Sequence, residues 1–289
     1  MATTKEIRTR ITAVKSTQKI TNAMKMIAMT KLRRAQEKVL STRPYAAKLN
    51  ELLEHLLSVS EKKVHQLMEK REIKKRLVVI VTADRGLCGA FNSNIIKAVT
   101  AYMAKIGSDT PMITIGKKGT DFFVKRNYNV IQNSVNVFSN LSVEVSNEIV
   151  KYILKGYLEE EYDFVEIFYN EFRNLLRHDI KQIRFLPITG TVTKDIPEIQ
   201  TGYDYLYEPD VEAILNTLIP RQLNLRFWSV LLESNAAEQA ARRMAMETAT
   251  QNADELIRSL ELSYNKARQD SITKELLEIV AGADALQKA

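Results

Sequence analysis

The segment 82–92 reads TADRGLCGAFN and follows the apolar run RLVVIV. A strand that feeds a glycine-bearing loop and then a helix can present backbone N–H groups to a phosphate. The residue types here do not complete that chemistry. A nucleotide loop of the G-x-x-x-x-G-K-[ST] kind places a lysine and a hydroxyl after its second glycine. Gly86 and Gly89 are followed by Ala90 and Phe91 instead, and no third glycine completes a dinucleotide fingerprint. Gly116-Lys-Lys-Gly119 fails too, because Pro111 stands where the first glycine of such a loop would be. The spacing predicts a tight strand-to-helix turn whose glycines supply backbone freedom.

Other reactive residue types are as sparse. Cys88 could be a nucleophile if Arg85 or a helix N-terminus lowered its pKa, yet no histidine lies near it in sequence. A small buried or half-buried thiol is the expected role. His55, His65 and His178 are far apart and lack metal-ligand spacing, and Glu159, Glu160 and Glu161 read as a solvated helix end. The sequence thus offers no catalytic set, no metal site and no cofactor motif. A single cysteine excludes an internal disulfide and fits a reducing compartment.

Glycine and proline divide the 289 residues into segments. Eight of the nine glycines lie between Gly86 and Gly202, whereas 1–43 and 221–281 contain neither glycine nor proline. Helical patterns that long predict a coiled coil. Ile7, Ile11 and Val14 recur at spacings of four and three, continued approximately by Ile20, Met24, Ile27, Leu32, Ala35 and Val39. Leu256, Leu260, Tyr264 and Ala267, then Leu276, Val280, Ala283 and Leu286, form a second stripe. Both are the narrow kind that a two-helix seam needs. Ala237, Ala241, Ala245, Ala249 and Ala253 fall every fourth residue and predict a close helix approach.

Between the helical ends, 77–82, 112–115, 164–169 and 183–188 read as strands rich in β-branched and aromatic residues, with 129–135 a weaker one. Helical patterns lie near 91–105, 117–126 and 141–160. That alternation predicts a mostly parallel sheet covered by helices. One α/β domain is therefore expected between two long helices.

Composition narrows the function classes. At 45% apolar and 27% charged the chain is ordinary for a soluble protein. It has no run of about 18 apolar residues to span a membrane, and MATTKEIRTR is not a secretory leader. Residues 1–40 carry ten Lys or Arg against Glu6 and Glu37, a local +8 that leaves −1 for the rest of a chain of net +7. A basic helix suits nucleic acid, anionic lipid or an acidic protein surface, or is merely a solvated face.

Four segments carry a resemblance. KITNAMKMIAMTKLRRA at 19–35, DRGLCGAFN at 84–92, AAEQAARRMAMETAT at 236–250 and YNKARQDSITKELLEIVAGA at 264–283 resemble the γ subunit family of the rotary F-type ATP synthase, in order and separation. The resemblance implies an antiparallel coiled coil of N- and C-terminal helices plus an inserted Rossmann-like α/β domain, divided as 1–74, 75–205 and 206–289. It implies a central rotor shaft without an active site of its own, turning inside a ring of α and β subunits. Its turning would couple ATP synthesis or hydrolysis on β to ion flow through a membrane ring of c subunits. The other implied partner is an ε subunit, with no cofactor and no nucleic acid.

Residue roles carry over by position. Arg268 and Gln269, in the A-R-Q element, are implied as polar contacts to a β loop. Met24 is implied beside an acidic β lever, with Lys25, Lys31 and Arg33 as charge partners and Cys88 close to β. Tyr205 and Glu208, in YLYEPD, are implied to face the membrane ring. Leu276, Leu277, Ile279, Val280 and Leu286 would form an apolar bearing tip. Ala237 stands where the family often has serine, and Arg243 where methionine is usual. One cysteine cannot form the dithiol switch of the plastid type, so a bacterial member is expected, peripheral on the cytoplasmic face of the inner membrane. The competing class is a basic coiled-coil nucleic-acid-binding or scaffold protein, whose binding would weaken steeply with salt.

Overall fold

The computed structural model describes residues 3–59, 65–69, 71–175, 178–188 and 207–287, excluding the side chains of 58–59 and 282–287. Five helices and five strands follow in the order α1 (Thr4–Val59), β1 (Arg76–Val81), α2 (Phe91–Ile106), β2 (Met112–Ile115), α3 (Lys117–Val124), β3 (Val130–Ser134), α4 (Val143–Leu158), β4 (Phe164–Phe172), β5 (His178–Leu186) and α5 (Val211–Gln287). Two compact units result: Met1–Ala28 with Arg243–Ala289, and Met29–Arg242. Both long helices contribute to each.

The larger unit holds the sheet, in strand order β3-β2-β1-β4-β5. β1 pairs parallel with β2 and β4, and β2 parallel with β3, while β5 runs antiparallel along β4. This is the Rossmann-like order with an antiparallel edge. β5 begins at His178, earlier than the apolar stretch at 183 suggests, because its first half is an alternating edge strand paired to Glu171 and Phe172. Alternation sorts β1 to two cores. Leu77, Val79 and Val81 meet Leu53, Leu56, Ile153, Leu223 and Phe227 on one face. Val78 and Ile80 meet Ile95, Val99, Met103 and Phe123 on the other. Strands buried on both faces read as continuous apolar runs, as RLVVIV does.

Each long helix passes through a proline, Pro44 in α1 and Pro220 in α5. A helical proline frees the carbonyl four residues earlier. Those carbonyls belong to Leu40 and Asn216, both exposed residues, so water can take the missing partner's place.

In the smaller unit α1 and α5 run antiparallel. Lys15 lies 2.7 Å from Glu261, the Gln18 amide donates to Asp254, the Thr21 and Thr250 hydroxyls are 2.8 Å apart, and Lys25 lies 4.0 Å from Glu247. Burial along α1 follows a strict four-three rhythm through Ile7, Ile11, Val14, Gln18, Thr21, Lys25 and Ala28. The expected middle of the stripe is therefore corrected: Ile20 and Ile27 are 60% and 57% exposed, and polar side chains take the inner positions. On α5 the rhythm is Met246, Thr250, Ala253, Ile257, Leu260, Tyr264 and Ala267. Leu256 is 46% exposed and Ile257 takes its place in the seam. Apolarity alone misplaced the frame because hydrogen-bonded polar pairs can occupy a coil seam.

The seam stops at Ala267 for a geometric reason. Extrapolating the cross-helix pairs puts Thr4, the first residue of α1, opposite that position. Every described side chain from Arg268 to Ala281 is exposed. The last stretch of α5, about 30 Å at 1.5 Å per residue, is a lone helix within this unit.

Candidate partner-contact surfaces

At the carboxyl ends of β1 and β4, where the strand order reverses, an open α/β sheet usually has a ligand crevice. Here protein fills it. Ala83, Cys88 and Phe91 pack against Ala237 and Ala241 of α5, with Phe172 at the edge. Ala237 and Ala241, the first two of the alanine row expected to seat another helix, thus seat the loop after β1, while Ala253 lies in the seam with α1. α1 rests on the adjoining ridge instead, Leu32 and Ala35 against Ala236 and Ala240.

Backbone donors around this loop are already engaged. The first three N–H groups of α3 donate to Asp84 Oδ1 from Lys117 (3.0 Å), to the Ala83 carbonyl from Lys118 (3.1 Å) and to Thr82 Oγ1 from Gly119 (2.9 Å). Asp84 also accepts from the N–H of Asn136 (2.7 Å) and of Phe138 (3.1 Å). A Cβ on Gly116, at φ +91, would come within 2.0 Å of the Thr82 carbonyl oxygen. The glycine is there for close backbone approach. The start of α3 is thus closed off by the chain's own acceptors.

α5 is latched to the same loop. Arg242 pairs with Glu238 one turn earlier and donates through Nη2 to the carbonyls of Gly86 (3.1 Å) and Arg85 (3.4 Å). Glu238 is buried, which pushes its carboxyl above the ordinary range while Arg242 pulls it back. Sequence reading missed this latch. Its only trace is a Glu and an Arg four apart within an alanine-rich helix.

The contact residues implied by resemblance fall into different settings. Arg268 and Gln269 stand exposed immediately past the seam, with no hydrogen bond or ion pair among the described residues. Leu276, Leu277, Ile279 and Val280 are exposed along the lone helix. Met24 and Lys25 are half-buried, and Lys25 faces Glu247. Lys31 is exposed, and Arg33 reaches Glu37 at 3.0 Å on its own helix. Glu208 is exposed ahead of α5; Tyr205 and the Leu286 side chain lie outside the described residues. Cys88 is buried as expected: at 1% exposure its thiol faces inward, accepting from Asn92 Nδ2 at 3.2 Å. Burial pushes that thiol's pKa up, the opposite of nucleophile activation. Among the described residues no cluster of His, Cys, Asp or Glu could hold a metal ion, and no helix is long and apolar enough to cross a membrane.

Past its seam α5 carries exposed polar and apolar side chains, and the crevice of the sheet is filled by the chain itself. The family model described as ATP synthase matches residues 3–286. The chain is 48% identical to the ATP synthase gamma chain of Chloroherpeton thalassium over 100% of both chains, and 49% identical to that of Prosthecochloris aestuarii over 99% of each. It is similar in structure to a chain of the Tetrahymena thermophila mitochondrial ATP synthase central stalk and c-ring, at 25% identity and TM-score 0.60, covering 80% of this chain and 99% of that one. A chain of the Euglena gracilis mitochondrial ATP synthase shares the fold at TM-score 0.68 and 21% identity, covering 98% and 94%. The chain belongs to the ATP synthase gamma chain family, and its part in such a complex is the central shaft.

Proposed function

We infer that the chain turns inside a ring of α and β subunits and passes torque between β and a membrane ring of c subunits, with an ε subunit bound to it. It carries out no bond chemistry of its own and works peripherally on the cytoplasmic face of a bacterial inner membrane. The observation that carries this reading is the stretch of α5 beyond Ala267, which holds Arg268, Gln269 and five exposed large apolar side chains, Ile272, Leu276, Leu277, Ile279 and Val280, on a single helix. Solvent-exposed Leu and Ile in such density mark a surface that another protein covers.

Arg268 and Gln269 grip β in this reading. The Arg268 guanidinium offers a planar fork suited to a carboxylate, and Gln269 adds a neutral donor and acceptor. Leu276, Leu277, Ile279, Val280 and Leu286 turn in an apolar sleeve. Met24, Lys31 and Arg33 meet an acidic lever of β, while Lys25 divides its charge between that lever and Glu247. Tyr205 and Glu208 face the c ring. An acidic protein surface accounts for the basic N-terminal helix better than nucleic acid does, since no aromatic stacking platform accompanies it.

Co-purification of the untagged chain with α and β subunits, followed by multi-turnover ATPase and ion pumping of the Arg268→Ala complex, tests the reading. Much slower turnover in an assembled complex is expected. Wild-type rates in both assays would refute it.

A further inference from the structure

Three acids of α5 stand one heptad apart, Glu247, Asp254 and Glu261. Each faces α1: Glu247 lies 4.0 Å from Lys25, Asp254 accepts from the Gln18 amide, and Glu261 lies 2.7 Å from Lys15. A row of one charge sign beside a coil seam helps to set which helix the coil accepts as partner. α1 complements that row. From Thr4 to Ala28 it carries Lys5, Arg8, Arg10, Lys15, Lys19 and Lys25 against Glu6 alone. Glu6 is engaged at the helix start, where its carboxylate accepts the Thr3 N–H at 3.0 Å and its own N–H donates to Thr3 Oγ1 at 3.3 Å.

The same helix is poorly suited to its own copy. In a parallel pair of α1 helices, Gln18 would meet Gln18 and Lys25 would meet Lys25 in the seam, with no acid to answer either. In an antiparallel pair centred on Gln18, Lys25 would fall against Ile11. A polar residue at an inner coil position specifies register and partner number at a cost in stability. Chain order explains why such a device is useful. The partner of Thr21 lies 229 positions further on, so the apolar strip of Ile7, Ile11 and Val14 is complete long before α5 exists. The matching strip that is available earlier belongs to α1 of another copy. We propose that the basic, polar seam of α1 and the acidic row of α5 form a self-recognition device, which admits the chain's own last helix and refuses the first helix of a second copy. The inference rests on the fold alone and needs no other subunit.

The test uses the full chain in a Cys88→Ser background with Val14→Cys and Ile257→Cys, one heptad along each helix from the Thr21–Thr250 pair. After cell-free synthesis, a short bis-maleimide links cysteines that face each other, and links within a chain are separated from links between copies by size. Links within the chain should dominate. Reversing the row with Glu247→Lys, Asp254→Lys and Glu261→Lys should cut them about tenfold, because three attractive contacts become repulsive. Adding Lys15→Glu, Gln18→Glu and Lys25→Glu to the reversed chain should restore them. Making the first seam apolar with Gln18→Leu, Thr21→Val and Lys25→Leu should raise links between copies about tenfold. Unchanged linkage in the reversed chain, or no recovery on counter-reversal, would overturn the selection by charge. An apolar seam that links copies no more than wild type does would overturn the refusal of a second copy.

Discussion

The sheet core and the free end of α5 use the same residue types to opposite ends. Val79, Ile113, Ile167 and Phe227 are fully buried and gain their stabilisation inside the chain. Leu276, Leu277, Ile279 and Val280 are exposed and contribute next to nothing to it. Burying a leucine or valine is worth about 1.5–3 kcal/mol wherever the burial happens. For the core that energy is collected on folding; for the helix end it is deferred until something encloses it. Hydrophobicity alone therefore does not say which event a side chain serves. The presence or absence of an opposing element within the chain does.

Substitutions can break or sharpen that contrast. The largest effect is expected in the core. Phe227, buried with its ring centroid 5.9 Å from that of Phe185, should cost about 3–5 kcal/mol of folding stability as Phe227→Ala, read by denaturant unfolding. Arg268→Ala should leave chain stability within about 0.5 kcal/mol of wild type, as befits an exposed residue. In the assembled complex the same change should add about 2–3 kcal/mol to the turnover barrier, slowing ATPase roughly 30- to 150-fold. Arg268→Lys should recover part of that rate, and Gln269→Ala should be milder. A destabilised chain with normal turnover would reverse the contrast.

A smaller effect is expected at Glu238, where α5 and the loop after β1 meet. Burial holds its carboxyl above the ordinary 4.5 in the folded chain, so folding favours the protonated form. Its contribution is full below the unfolded value and is lost as pH rises through the folded one. Glu238→Gln cannot ionise, so its stability should gain on wild type as pH is raised from about 4 to about 8 in urea unfolding. A difference independent of pH would show that Arg242 fully compensates the buried charge. The smallest effect belongs to Cys88→Ser, which should keep most of the ATPase activity and respond to neither dithiol nor oxidant. Near-complete loss of activity with assembly intact would reveal a role for the thiol.

The sheet domain was legible because its code is local. Each β-branched run is a strand, and each intervening amphipathic stretch is a helix, with boundaries moved by a residue or two except at the end of β4, which runs three residues further, and at the alternating start of β5. The coil was legible in kind but not in frame. Gln18, Thr21 and Lys25 occupy the seam through partners 229 or more positions away or at Glu247, and nothing near them in sequence announces that. Of the loop after β1, the turn could be foreseen and its orientation could not. Cys88 and Leu87 are neighbours of similar apolarity, and only the backbone at φ +63 decides which faces out. The Glu238 and Arg242 latch escaped notice because surface helices carry such pairs commonly.

The polar pairs across the coil also set a clock on the chain's birth. Thr21 and Thr250 are separated by 229 positions, and Lys15 and Glu261 by 246. A ribosome adding about 5–20 residues per second needs roughly 10–50 s to travel from the first member of such a pair to the second. For that interval Ile7, Ile11 and Val14 have no partner helix, and every strand of the sheet is made before it ends. The nascent chain therefore emerges with a finished middle and a bare, sticky beginning. Its safety depends on whatever shields that first helix until the last one arrives.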